Sequence, residues 1–319
     1  MRSYKKSLGI GWGMDYELAI IGAGPAGYSA AIYAVRSGLK AALFDRGDGG
    51  GRAVLSPSVE NYAGFEAIPG AELMEKIKHH AARYIQPHLY EEVTGVMRAG
   101  SGFSLSTSKG KYSVGAVLFC TGTEHKTMDI PGEKEFLGKG VSYCATCDGF
   151  FFRGKTVAVV GGGSTAVMEA VFLKQIGCQD VFLVHRRSQL RAEQVYEVEA
   201  REKQVRILLN KEVERISGDT VVRSLELRDA QTGQVSRLAV DGVFISVGWV
   251  PQNDLVRKLG VELDAGGYVV VSRFGCTNIP GVYAAGDVTG GVRQVVTACA
   301  SGAVAALSSL EALGKKYPF

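Results

Sequence analysis

The sequence is short of several things, and each shortage removes a class of protein. It has no strong excess of charge: 36 basic residues face 32 acidic ones, for a net +4. That balance is too mild for a nucleic-acid or membrane-surface protein, which needs a concentrated basic face. It has few cysteines, and only Cys144 and Cys147 are closely spaced; Cys120, Cys178, Cys276 and Cys299 are scattered and read as small buried apolar residues. Such a chain reads as intracellular, hence cytoplasmic, and not as a disulfide-stapled secreted domain. No second cysteine pair or Cys/His cluster stands at zinc spacing, so no metal is expected. No stretch reads as the ~18 apolar residues a membrane helix needs. Residues 1–13 carry Arg2, Lys5 and Lys6 without a convincing apolar core or cleavage site, which argues against a signal peptide. They read as a tail or an upstream start before Met14, with no function assigned.

What is present points to an α/β protein. The 319 residues allow one large domain or two of ordinary size, and 46% hydrophobic residues suffice for substantial cores. The 42 glycines gather at strand-to-helix turns, where a backbone must approach a phosphate closely.

Two segments share one grammar. In the first, the apolar run Tyr16–Ile21 predicts a buried strand. The turn Gly22-Ala23-Gly24-Pro25-Ala26-Gly27 follows, then a helix closed by Gly38, then a strand from Leu39 to Phe44 ending at Asp45. Gly22 suits a tight turn, Gly24 a pyrophosphate, and Gly27 close helix–strand packing, while the helix N-terminus faces the anion. Asp45 lies where a ribose-binding acid is expected, ~20 residues after the glycines.

The second segment predicts a strand at Thr156–Val160, the turn Gly161-Gly162-Gly163-Ser164-Thr165-Ala166, a helix over Val167–Gln175, and a strand at Val181–Val184. That strand ends in His185-Arg186-Arg187, with Arg191 beyond, and not in an acid. An acid there holds a free 2′-hydroxyl, whereas arginines accommodate a 2′-phosphate, so this site reads as the NADP type. A solvated surface is the plain alternative for these arginines.

Further strands end in glycine at Gly122 and Gly248, and another leads into Gly286-Asp287 ahead of a small-residue helix from Val295 to Leu313. Gly286 and Asp287 would offer a backbone N–H and a carboxylate to the ribityl-phosphate part of a flavin. The chain therefore divides into a tail (1–13), a first domain in two parts (14–124 and 251–319), and an inserted domain (125–250). Linkers are expected around His125–Asp129 and Trp249–Asn253. The fold class is α/β, with two Rossmann-like nucleotide-binding domains, one discontinuous and one inserted.

Between the two fingerprints stands Cys144-Ala145-Thr146-Cys147-Asp148. Thiolate is the nucleophile in disulfide exchange, and a free cysteine has a pKa of about 8.5, so an adjacent proton acceptor helps at neutral pH. A dithiol placed among two dinucleotide sites suggests an electron relay.

The chain resembles the low-molecular-weight thioredoxin reductases over nearly all of residues 15–313. The resemblance is carried by Gly22–Gly27, Val59-Glu60-Asn61-Tyr62, Ile130-Pro131-Gly132-Glu133, Ser142–Gly149, His185-Arg186-Arg187 with Arg191-Ala192, and Ala285–Val288 with Arg293-Gln294. It implies FAD in the outer domain, with Gly22, Gly24, Pro25, Ala26, Gly27, Asp45, Gly50, Gly51, Arg52, Asn61, Gly122, Gly286, Asp287, Arg293, Gln294 and Val295 as its contacts. It implies NADPH in the inserted domain, with Gly161, Gly163, Ser164, Thr165, Ala166, His185, Arg186, Arg187 and Arg191. It also implies a homodimer, a Cys144–Cys147 disulfide, and thioredoxin or a thioredoxin-like protein as partner. On this resemblance Cys147 faces the flavin, Cys144 attacks the partner's disulfide, Asp148 manages thiol protons, and one domain rotates against the other during the cycle.

Two positions depart from the family's pattern. Gly50-Gly51 is followed by Arg52 where glutamine is usual, leaving that side chain a flavin edge, a phosphate or solvent to face. Asp45 stands where glutamate is common; the shorter acid still suits the ribose, directly or through water. The rival readings keep the chemistry with another protein or small-molecule disulfide, or with a different electron donor. A rival of another class is a flavin-bound redox sensor without turnover.

Overall fold

The computed structural model describes residues 14–56 and 58–316; the expectations for residues 1–13 lie outside them. The chain forms two compact units, one built from residues up to 55, 62–124 and 250 onward, the other from 56–61 and 125–249. The sequence had assigned all of 14–124 to the first domain. The loop Ser56–Asn61 instead groups with the second unit, so Asn61 belongs there.

The first unit is a sheet between helices. Its strands are β1 (Tyr16–Ile21), β2 (Ala41–Phe44), β3 (Val93–Ala99), β4 (Gly102–Thr107) and β5 (Lys111–Phe119), in the order β2-β1-β5-β4-β3. β1 pairs in parallel with β2 and β5, whereas β3, β4 and β5 run antiparallel. β2 starts later than the sequence suggests, because Leu39 N–H still donates to the Ala34 carbonyl of the helix end, 3.0 Å away. Helix α1 (Pro25–Arg36) joins β1 to β2, and α2 (Gly70–Ala82) follows.

The chain leaves this unit after β6 (Thr123–His125) has begun. The second unit holds β7 (Val141–Ser142), the one-turn α3 (Ala145–Asp148), β8 (Thr156–Gly161), α4 (Ser164–Gln175), β9 (Asp180–Val184), α5 (Gln194–Glu202) and β10 (Arg206–Leu208). After these come β11 (Lys211–Gly218), β12 (Val222–Asp229), β13 (Val235–Ala239) and β14 (Gly242–Ser246). Five strands form a parallel sheet ordered β10-β9-β8-β14-β7. Its central strands are apolar along their middles because both faces are covered: Val157, Val159 and Leu183 pack with α4, and Ala158, Val160 and Val243 pack with the antiparallel layer β11-β12-β13.

Short strand β15 (Trp249–Pro251) occupies a stretch expected as linker, as β6 does in part. Beyond it α6 (Asp254–Lys258), β16 (Val282–Ala284) and α7 (Val295–Ala312) complete the first unit, β16 pairing in parallel with β5.

Helix α7 corrects one expectation from the sequence. By length and composition it is apolar enough to cross a membrane, with a mean hydropathy of 1.5. Its hydropathy comes chiefly from Ala and Val, with two leucines, so no long leucine-type run announces it. It lies against α1: Ala298, Ala305, Ala306 and Leu310 are buried in the same core as Ala26, Ala30 and Ala34. At Gly302 the approach is so close that a Cβ would strike the backbone of Ala26.

Candidate active site

Each unit opens a helix with a glycine turn at the carboxyl end of a parallel strand, β1 in the first and β8 in the second. In the first unit Gly22 has φ +105°, and a side chain there would strike the Cys120 carbonyl. A Cβ on Gly27 would overlap the Gly22 carbonyl oxygen, so this glycine is needed for helix–strand packing. Gly24 faces Gly51: a Cβ built on Gly24 lies 3.8 Å from the Gly51 Cα, leaving a groove walled by backbone. No side chain caps the N-terminus of α1, and Pro25 begins it. Free N–H groups and the helix dipole therefore suit a diphosphate there.

Asp45 follows β2 as expected. Its two oxygens accept backbone N–H groups, from Ala23 at 2.7 Å and Gly47 at 2.8 Å, so it ties the turn to the strand end. Gly50 N–H donates to the Ala23 carbonyl at 2.7 Å, bringing the second glycine run to the same place. At the other strand end, the Gly286 N–H expected for a phosphate donates instead to the Ser301 hydroxyl, 3.0 Å away. Asp287 is half-buried. Burial raises its carboxyl pKa, and the charges of Arg293 and Arg52 oppose that rise. Arg52 thus feels a carboxylate, a neighbour none of its three expected roles contained. Arg293, at φ +53°, also reaches the Tyr268 hydroxyl at 3.3 Å. Gln294 and Thr297 form a reciprocal cap on α7, with Val295 as the first helical residue. Gly122 adopts φ +69° beyond β5 with open space around it.

In the second unit a cavity of about 440 Å³ adjoins the glycine turn. Gly161, His185, Arg186 and Arg191, four of the expected NADPH contacts, line it. Arg187, Gly163, Ser164, Thr165 and Ala166 do not, although Ser164 accepts the Glu193 N–H at 3.2 Å and α4 starts at Gly163 without a side-chain cap. The sequence missed Lys126, Lys211 and Ser246 on the cavity wall. Lys126 was read as linker, and Lys211 follows a strand too short to stand out. His185 is only 6% exposed, and its ring lies where a Cβ on Gly162 would be. Burial lowers its pKa, helped by Arg191 and Arg187, which favours a neutral ring beside the arginines.

Cys144 and Cys147 form a disulfide with Cα atoms 5.3 Å apart. Cys144 caps α3, accepting the Cys147 N–H on its sulfur at 3.2 Å. Asp148 ends that turn. Its Oδ2 accepts the Ser142 hydroxyl at 2.6 Å, while its Oδ1 is buried with no hydrogen-bond partner among the described residues. Burial raises the Asp148 pKa and the Ser142 bond pulls it down. Nearby, Glu133 is 1% exposed and accepts the Met128 N–H at 3.0 Å and the Tyr143 hydroxyl at 2.6 Å. It clamps the cavity-lining segment to the residue before Cys144. Ser142 and Glu133 both lay in segments that carried the resemblance, but their bonds were not legible there.

The donor sets fit the two expected cofactors. A backbone-walled groove at an uncapped helix suits the FAD diphosphate, and a cavity bearing Arg186, Arg191, Lys126 and Lys211 suits a multiply phosphorylated nicotinamide nucleotide.

Comparisons with known proteins agree. The family model described as pyridine nucleotide-disulphide oxidoreductase matches residues 16–302. The chain is 42% identical over 295 residues to the thioredoxin reductase of Treponema pallidum, covering 92% of this chain and 95% of that one. It is 41% identical over 298 residues to that of Mycolicibacterium smegmatis, with 92% and 95% covered. The crystal structure of thioredoxin reductase from Streptococcus pyogenes superposes with a TM-score of 0.88 at 36% identity, covering 94% of this chain and 98% of that one.

Proposed function

We propose an assignment of roles from one premise: this chain belongs to the pyridine nucleotide-disulphide oxidoreductase family and, within it, to the low-molecular-weight thioredoxin reductases. It is an FAD- and NADPH-dependent thioredoxin-disulfide reductase. The first unit holds FAD and the second holds NADPH. The observation that carries the assignment is the closed Cys144–Cys147 bridge, flanked by a shielded carboxylate, in the unit with the arginine-lined cavity.

FAD, when bound, supplies the two-electron relay between the nicotinamide and the bridge. Gly22, Gly24 and Gly27 with the N-terminus of α1 bind its diphosphate; Pro25 and Ala26 shape that turn, and Asp45 fixes it. Gly50, Gly51, Gly122, Gly286, Arg293, Gln294 and Val295 complete the wall, and Asp287 and Arg52 set its charge. Gly161 and Gly163 with Ser164, Thr165 and Ala166 present the N-terminus of α4 to the NADPH diphosphate. Arg186, Arg187 and Arg191 hold its 2′-phosphate, and His185 packs the turn between them. Cys147 accepts electrons from the flavin side, Cys144 attacks the disulfide of thioredoxin, and Asp148 gives and takes the thiol proton. The protein acts as a homodimer in the cytoplasm.

The test is thiol release from oxidised thioredoxin, followed with a thiol reagent, with NADPH or NADH as donor. Release is expected with NADPH, falling to background in Cys144→Ser and Cys147→Ser. Retained activity in both variants defeats the relay. Equal rates with NADH defeat the 2′-phosphate assignment. Flavin reduction without thiol release moves the partner to another disulfide.

A further inference from the structure

Ser142 lies at the end of β7 and is 4% exposed. Its oxygen accepts the Cys144 N–H at 3.0 Å. Its own proton then has one strong acceptor, Asp148 Oδ2 at 2.6 Å, against a longer contact of 3.4 Å to the Cys144 carbonyl. The other carboxyl oxygen, Oδ1, is buried and makes no hydrogen bond among the described residues. Buried polar atoms are nearly always paired, so an orphaned one beside a redox bridge calls for a use.

We propose that Ser142 is a positioning residue that makes Oδ1 of Asp148 the oxygen that carries the proton for the dithiol. This rests on the reading of Asp148 as the acid of the site. The reason is geometric. A proton on Oδ2 would face the serine proton, whereas a proton on Oδ1 leaves Oδ2 free to accept. When an electron pair enters the bridge the S–S bond breaks, and the two sulfurs gain two electrons between them. Oδ1–H passes its proton to one thiolate and becomes carboxylate, which the Ser142 O–H continues to hold; the second proton comes from water. The Cys144 N–H keeps the serine turned throughout, because the serine oxygen cannot donate toward a donor.

The groups around Asp148 leave this assignment clear. On its own turn the titratable neighbours are Cys144 and Cys147. From the following 3-10 turn and its end, Arg153 is engaged with the Ile176 carbonyl at 2.7 Å. Helix α4 packs against this turn, and its Lys174 is engaged with the Gln179 carbonyl at 2.9 Å. Burial raises the carboxyl pKa and the Ser142 bond is what lowers it.

The experiment is an infrared titration of the Asp148 carbonyl band in the intact flavoprotein, paired with the pH profile of thiol release. Asp148→Asn identifies both signals by removing them. In Ser142→Ala the titration and the descending limb of the profile are expected to move up by about one pH unit, the size of one charge-assisted hydrogen bond. Ser142→Thr, which keeps the hydroxyl, is expected to restore both. If Asp148→Asn leaves band and limb in place, the reading of Asp148 fails. If Asp148→Asn removes them but Ser142→Ala moves neither, the role of Ser142 fails while that of Asp148 stands. Should Ser142→Ala not fold, the wild-type band decides: a carbonyl at the frequency of an unbonded carboxylic acid overturns the proposal, and a hydrogen-bonded one supports it.

Discussion

The two glycine turns of this chain repeat one design and differ at two points. The first difference is at the third small residue of the turn, Gly27 in one unit and Ala166 in the other. At Gly27 a Cβ would overlap the Gly22 carbonyl; in the second turn an alanine already fits and is fully buried. The second difference is the residue after the second strand. Asp45 spends both carboxylate oxygens on backbone N–H groups. His185 instead lays a ring over Gly162 and leaves charge to the exposed arginines beside it. Helix N-termini already attract anions, so the residues after the strand decide what else the mouth accepts: one mouth is closed by a satisfied acid, the other opens onto cations.

Substitutions can break this comparison. The largest effect is expected from Gly27→Ala, which forces backbone atoms apart and should cost about 3 kcal/mol, with flavin lost on gel filtration and a lowered Tm. The reverse exchange in the second turn, Ala166→Gly, should cost only about 1 kcal/mol. Equal losses would show that the two turns pack alike. Next comes the charge of the second mouth. Arg186→Ala combined with Arg191→Ala should raise KM for NADPH about 10- to 100-fold and leave that for NADH nearly unchanged, as measured by flavin reduction. A matching loss with NADH would mean that the arginines hold the diphosphate and not the 2′-phosphate. A smaller effect than that of Gly27→Ala is expected from Asp45→Ala. It strips an acceptor from two N–H groups and should lower stability by about 1–2 kcal/mol. A loss of FAD affinity well beyond that figure, in a flavin titration, would show that the same carboxylate also serves the ribose.

Much of this was readable from residue order because parallel strands buried on both faces must be apolar runs, and close backbone approaches must be glycines. Residues 18–21 and 157–161 obey the first rule, and Gly22, Gly27 and Gly161 obey the second. The antiparallel layer β11-β12-β13 was not read, since charged residues such as Arg215, Arg228 and Glu226 crowd its exposed face and break the apolar signal. Three features of the site depended on folding itself. Arg52 meets the field of Asp287 across more than two hundred residues of sequence. The Ser301 hydroxyl takes the Gly286 N–H because α7 brings it back to the strand end. Ser142 is an ordinary small residue until β7 and α3 set it between Cys144 and Asp148. α7 shows the converse: its composition satisfies a membrane criterion, yet Ala298, Ala305 and Ala306 are buried in the core shared with α1.

That contact between α1 and α7 has a consequence for how the chain is made. The helix beginning at Pro25 emerges from the ribosome long before its close partner, whose Gly302 lies against Ala26. Strand β5 likewise waits for β16. The parallel sheet of the second unit draws on residues 141–246 alone and is complete before either of those late elements has been synthesised. Synthesis therefore releases the two units in the reverse of the order in which they begin, with the inserted one finished while the earlier one still exposes the apolar side of α1 to chaperones.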